Sequence, residues 1–160
     1  MLHVRLVCVG KLKERFLQEA MAEYAKRLSA FCSFEVKELP EERLGDDPSA
    51  AEIAAALRRE AAQIEKQLLK TGMVVCLCIE GKELDSAAFS SLLTKAELSG
   101  QPEISFIIGE SFGLAEELKR KADFLLSMSR MTFPHHLARV MLAEQIYRGF
   151  QIKAGTRYHK

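Results

Sequence analysis

Tryptophan is absent from the 160 residues, proline occurs four times and glycine nine. No apolar run approaches the ~18 residues of a membrane-spanning helix. An excess of either charge is missing too: 23 lysines and arginines face 22 aspartates and glutamates, a net charge of +1. Each shortage excludes something. Sparse proline and glycine beside 48% hydrophobic residues argue against a disordered or fibrous chain. Near-neutral charge excludes a bulk polycation, while leaving room for a local basic patch on nucleic acid. The opening stretch Met1–Gly10 is too short for a span and has no signal-peptide cleavage region, so it reads as a strand.

Cysteine is scarce in a telling way. Cys8, Cys32, Cys76 and Cys78 lie in or beside strand-like segments, and Cys76 and Cys78 share one strand face. Paired clusters with zinc-finger spacing are missing. Buried free thiols, a reducing cytoplasmic setting and no metal are the expectation.

What is present is an uneven charge. Residues 35–66 carry net −4, whereas residues 134–160 carry net +4 and three of the four histidines, His135, His136 and His159. A basic, histidine-rich end on a neutral chain suits an anionic partner, although a solvated basic helix would look the same.

Hydrophobic spacing predicts strands over His3–Val9, Phe34–Leu39, Met73–Ile79, Ile104–Ile108 and Phe124–Ser127. Helices are predicted over about Lys13–Ser29, Ala50–Lys70, Ser86–Leu98 with Asp85 as cap, a short piece ending near Lys121, and Pro134 to about Arg148, limited by Gly149. Alternating strands and helices, with continuously apolar strands, indicate an α/β domain. Its sheet is mainly parallel, with helices on both faces. Such sheets bind ligands beyond the carboxyl ends of their strands. That rule selects Leu77–Lys82, Ile108–Gly113 and Ser127–Phe133. Gly109-x-x-x-Gly113 is neither GxGxxG nor a phosphate-binding P-loop, so a nicotinamide enzyme is disfavoured. Met128–Phe133 alternates apolar and hydroxyl residues and could wrap an adenine. His135 and Arg139 share a helix face.

These same residues carry a resemblance. Val9-Gly10-Lys11-Leu12-Lys13, Phe106-Ile107-Ile108-Gly109, Ser129-Arg130-Met131-Thr132-Phe133-Pro134-His135, Glu144-Gln145-Ile146-Tyr147-Arg148 and Tyr158-His159-Lys160 resemble the ribosomal RNA large subunit methyltransferase H family, along essentially the whole chain. The resemblance implies one SPOUT-type domain over residues 1–160, with a C-terminal trefoil knot and a cofactor pocket in roughly 73–160. It implies an enzyme that methylates N3 of a pseudouridine in helix 69 of 23S rRNA, using S-adenosylmethionine. The expected substrate is the assembled 70S ribosome and the expected state a homodimer, with no DNA and no membrane partner. Cofactor contacts carry over to Leu77, Gly109, Met128, Ser129, Arg130, Met131, Thr132 and Phe133. The chemistry falls to His159, Tyr158, His135 and Arg139, and phosphate contacts to Arg148, Lys153, Arg157 and Lys160. Two positions depart from the family pattern: Glu110 replaces a second glycine, and Gly149 replaces an alanine. A related methyltransferase with another RNA target, or a ribosome-binding protein without activity, would share much of this sequence pattern.

Overall fold

The computed structural model describes residues 1–160. Continuous apolar runs build the middle of its sheet, where both faces must be covered. β1 (Leu2–Val9) and β4 (Glu103–Ile108) lie side by side. β2 (Cys32–Leu39), richer in charge, takes one edge; β3 (Met73–Glu83) and the short β5 (Phe124–Ser127) complete the order β2-β1-β4-β3-β5. Every pairing is parallel. Strand alternation then sorts side chains between two layers. Leu2, Val4, Leu6 and Cys8 join Ile104, Phe106 and Ile108 on one face, under α1 (Arg15–Leu28), α3 (Ser86–Leu98) and α5 (His135–Lys153). Val7, Val9, Cys76 and Ile107 point the other way, under α2 (Ala50–Gln67) and α4 (Glu116–Lys121). Each fully buried leucine or phenylalanine in these layers contributes roughly 1.5–3 kcal/mol.

Local signals set the helix starts. The Asp85 carboxylate accepts from the Ala88 amide at 2.7 Å, as expected of a cap, and Ser49 does the same for Glu52 at 3.1 Å. The four thiols are free, and Cys8, Cys32 and Cys76 are buried. Burial pushes the Cys8 and Cys76 thiols up to about 12, so neither is a nucleophile at neutral pH. No helix is long and apolar enough to cross a membrane.

Beyond shifts of two or three residues at the ends of β2 and α2, two differences from the sequence expectation have a physical reason. The predicted turn after Ile79 is instead a bulge inside β3: Leu77 and Lys82 both pair with Leu126. The intervening residues loop over β5, and Gly81 passes so close that a Cβ there would sit 2.6 Å from the Leu126 carbonyl carbon and 2.8 Å from the Leu125 oxygen. Gly81→Ala is therefore expected to cost about 2 kcal/mol through forced backbone movement, read as a lower denaturation midpoint. A midpoint equal to wild type would show that the bulge is not held against β5. Gly149 does not end α5 either, because the helix runs on to Lys153. The glycine lies where α5 crosses α3, its carbonyl accepting from the Ser90 hydroxyl at 2.6 Å. It serves close helix packing, not termination.

Candidate functional site

The sheet order brings the three selected segments to one edge, but side chains divide them into two neighbourhoods. The first is a cleft of about 720 Å³ between the start of α3, the end of β5 and the middle of α5. Leu84, Phe89, Leu126, Met128 and Val140 form most of its apolar wall, and Asp85, Glu144, Gln145 and His159 supply polar groups. That size and lining are typical of small-molecule sites.

Glu144 organises the polar side. One of its carboxylate oxygens, Oε1, accepts from Arg148 Nη2 at 2.7 Å and Nε at 3.0 Å, and from the Tyr158 hydroxyl at 3.1 Å. The guanidinium of Arg148 also lies 4.8 Å over the Tyr158 ring and reaches His159 Nδ1 at 3.2 Å. Tyr147 meets Tyr158 edge-on at 4.9 Å. The tail is thus folded back onto α5 and places His159 on the cleft. Burial and the Glu144 carboxylate raise the Tyr158 phenol above its ordinary range, so it is a hydrogen-bond donor at neutral pH. Glu144 was not among the residues expected to act. Its i,i+4 spacing to Arg148 was the available signal, and an ordinary helix-surface pair gives the same one.

The loop from Met128 to Phe133 runs from this cleft to α5. Its backbone makes no backbone-to-backbone hydrogen bond. Its only internal ties are the Ser127 hydroxyl to the Ser129 carbonyl at 3.1 Å, and the Met131 amide to the Ser129 hydroxyl at 3.0 Å. Its remaining amides and carbonyls are therefore available to a ligand edge, and Met131 presents an exposed apolar side chain. Leu77 is half-buried beside Leu126, and Gly109 is buried where its turn folds back onto Gly113. Gly113 has positive φ, at +81°, and Gly109 does not.

The second neighbourhood holds His135 and Arg139. They do not join Tyr158 and His159. Arg139 is 1% exposed; its Nη1 lies 2.6 Å from a Glu38 oxygen and its Nη2 donates to the Gly10 carbonyl at 3.1 Å. Glu38 also receives the Leu12 amide at 2.8 Å. The guanidinium thus ties α5 to the ends of β1 and β2, and has no face toward the cleft. His135 meets the Glu110 carboxylate directly, with His136 packed edge-on at 4.5 Å between ring centres. Burial, then Glu41, pushes the Glu110 carboxyl up to about 7, while burial and the neighbouring His136 lower His135.

Among the expected phosphate contacts, Arg148 is held by Glu144 and Lys153 by Glu97. Arg157 and Lys160 are exposed and unpaired, as is Arg130 on the cofactor loop. The free cations are therefore fewer than the count of basic residues implied.

Comparison with known proteins gives the family and the fold. Residues 2–159 match the family described as a predicted SPOUT methyltransferase. A ribosomal RNA large subunit methyltransferase H from Streptococcus pyogenes serotype M5 (strain Manfredo) is 46% identical over 157 residues, covering 98% of this chain and 99% of the relative. One from Streptococcus equi subsp. zooepidemicus (strain MGCS10565) is 45% identical with the same coverage. The structure of a probable methylase family protein from Haemophilus influenzae Rd KW20 aligns with a TM-score of 0.53 at 12% identity, covering all of this chain and 72% of that one, a likeness of fold. The α/β architecture is that of the SPOUT-type knotted methyltransferases, and the chain belongs to the ribosomal RNA large subunit methyltransferase H family.

Proposed function

We propose that this protein transfers a methyl group from S-adenosylmethionine to N3 of a pseudouridine in helix 69 of 23S rRNA, acting on assembled 70S ribosomes in the cytoplasm as a homodimer. One observation carries the reading: a single cleft is walled both by Met128, from the loop assigned to the cofactor, and by His159, from the basic end assigned to RNA. The residues suit the cofactor. Met128 walls the cleft, the loop from it to Phe133 offers uncommitted backbone groups for an adenosine, and Asp85 brings negative charge to a positive sulfonium; Leu77 and Gly109 are not part of the cleft wall. When bound, S-adenosylmethionine supplies an electrophilic methyl group and a neutral thioether as leaving group.

The chain's own residues must then favour loss of a proton from N3, a weak acid. Arg148 is always a donor, so its contact makes His159 Nδ1 the acceptor and leaves the neutral imidazole proton on Nε2. That N–H is placed to stabilise charge developing on the carbonyl beside N3. Tyr158 keeps its proton and, through Glu144, positions Arg148. With both tail groups acting as donors, the N3 proton departs to water. Arg130, Arg157 and Lys160 take rRNA phosphates, which positions the substrate without reading its sequence. In the homodimer, the partner's surface completes the RNA site.

Mass spectrometry of 23S rRNA from a strain lacking the protein tests the assignment. The helix 69 nucleotide is expected to lose one methyl mass, regained on complementation. An unchanged mass at that position would refute the substrate.

A further inference from the structure

Away from the cleft, three groups that no step above uses converge at the start of α5. Glu110 follows β4, and His135 and His136 open the helix; one donor atom from each lies within 4.8 Å of the others. We propose that Glu110, His135 and His136 form a binding site for a divalent transition metal, of which zinc is the test case.

The state of His136 is the telling feature. Its Nδ1 faces a Glu14 oxygen at 3.2 Å, so Glu14 accepts that N–H and fixes the tautomer with a bare lone pair on Nε2. Yet Nε2 is buried and has no hydrogen-bond partner, although Glu110 Oε1 is 3.8 Å away. That gap is too long for a hydrogen bond. It is close to the ~3.3 Å that separates two ligands on one tetrahedral zinc with ~2.0–2.1 Å bonds. A carboxylate on the far nitrogen of a histidine is the usual support for a metal ligand. His135 Nε2 points at the same carboxylate. Two imidazoles and one carboxylate leave a fourth tetrahedral position open.

The electrostatic surroundings permit a cation there. The positive end of α5 and the nearby Arg139 oppose it, but Arg139 is neutralised by Glu38. Glu41 and Glu60 line a cleft of about 340 Å³ that Glu110 also borders. The ligands are 25 residues apart in sequence, which is why spacing alone gave no metal site. Because Glu110 directly follows Gly109, a bound ion would pin the turn after β4 to α5.

The test uses the full chain freed of metal by chelation. Titration with zinc chloride should show one ion per chain at micromolar or tighter affinity and a rise in melting midpoint of about 5 °C at saturation. Cobalt(II) should give visible d–d bands of tetrahedral intensity. Glu110→Gln and His136→Gln should each weaken binding at least tenfold, while His3→Gln, on the far side of β1, should bind like wild type. Melting of the metal-free variants checks that they fold. Absence of stoichiometric binding by the wild-type chain, or full binding retained by folded Glu110→Gln and His136→Gln, overturns the site.

Discussion

Arg139→Ala is expected to unfold with a free energy lower by about 3–4 kcal/mol, the cost of emptying a buried large-side-chain site and losing its two hydrogen bonds. For a chain of this length that is a fall in melting midpoint on the order of 10 °C. The magnitude follows from the asymmetry of the pair. The Arg139 side chain is 2% exposed whereas Glu38 is 37% exposed, so the carboxylate left behind is solvated and the cost falls on the packing and hydrogen bonds of the buried arginine. Removing it also strips a donor from the Gly10 carbonyl and vacates volume where α5 meets the ends of β1 and β2. Glu38→Gln should cost a similar amount, about 3 kcal/mol, because it leaves the buried Arg139 charge without a counter-ion even though the Leu12 amide keeps an oxygen acceptor. Arg139→Lys should recover little, since a single ammonium cannot span both acceptors. A variant that melts like wild type but fails to transfer methyl would contradict this account and return Arg139 to the chemistry.

His159→Ala is expected to lower kcat about 100-fold, the usual loss on removing one preorganised donor to developing charge. S-adenosylmethionine affinity should stay within about threefold, since a side chain that acts on the nucleotide adds little to cofactor binding. Stability should barely move, because the side chain is exposed. His159→Gln restores an N–H near the same place and should recover part of the rate, which a purely structural role would not predict. Tyr158→Phe removes one hydrogen bond to Glu144 but keeps the stacking on Tyr147, so a loss nearer tenfold is expected. Stopped-flow or single-turnover transfer separates these effects from product release. Wild-type turnover in both His159→Ala and Tyr158→Phe would remove the tail from the mechanism.

The sequence made the layers legible because burial on both faces leaves a simple trace. Apolar runs at Leu6–Val9 and Phe106–Ile108 have only one comfortable place in a protein, the middle of a parallel sheet. Asp85 was readable as a cap for an equally local reason. What escaped depends on through-space proximity. The bulge at Cys78–Gly81 is set by β5, some 45 residues later, and no local pattern encodes it. Gly149 looked like a helix end because glycine usually is one, while its actual neighbour, Ser90, sits on another helix. His135 and Arg139 do share a helix face, as spacing required, but that face turns toward Glu110 and Glu38 rather than toward the tail. Basic residues were overcounted as free cations for the same reason, since Glu144 and Glu97 claim Arg148 and Lys153. Of the residues the motif-dense end singles out, Met128 and His159 line the cleft.

The central claim is tested most directly by incubating the purified protein with S-adenosylmethionine carrying a labelled methyl group. Intact 70S ribosomes, separated 50S subunits and naked 23S rRNA serve as acceptors, and the product is mapped by mass spectrometry. The account predicts one labelled methyl per 70S particle, on N3 of a helix 69 pseudouridine, with far less transfer to 50S subunits or free RNA. Label at another nucleotide, or none on 70S ribosomes despite measured cofactor binding, would contradict it.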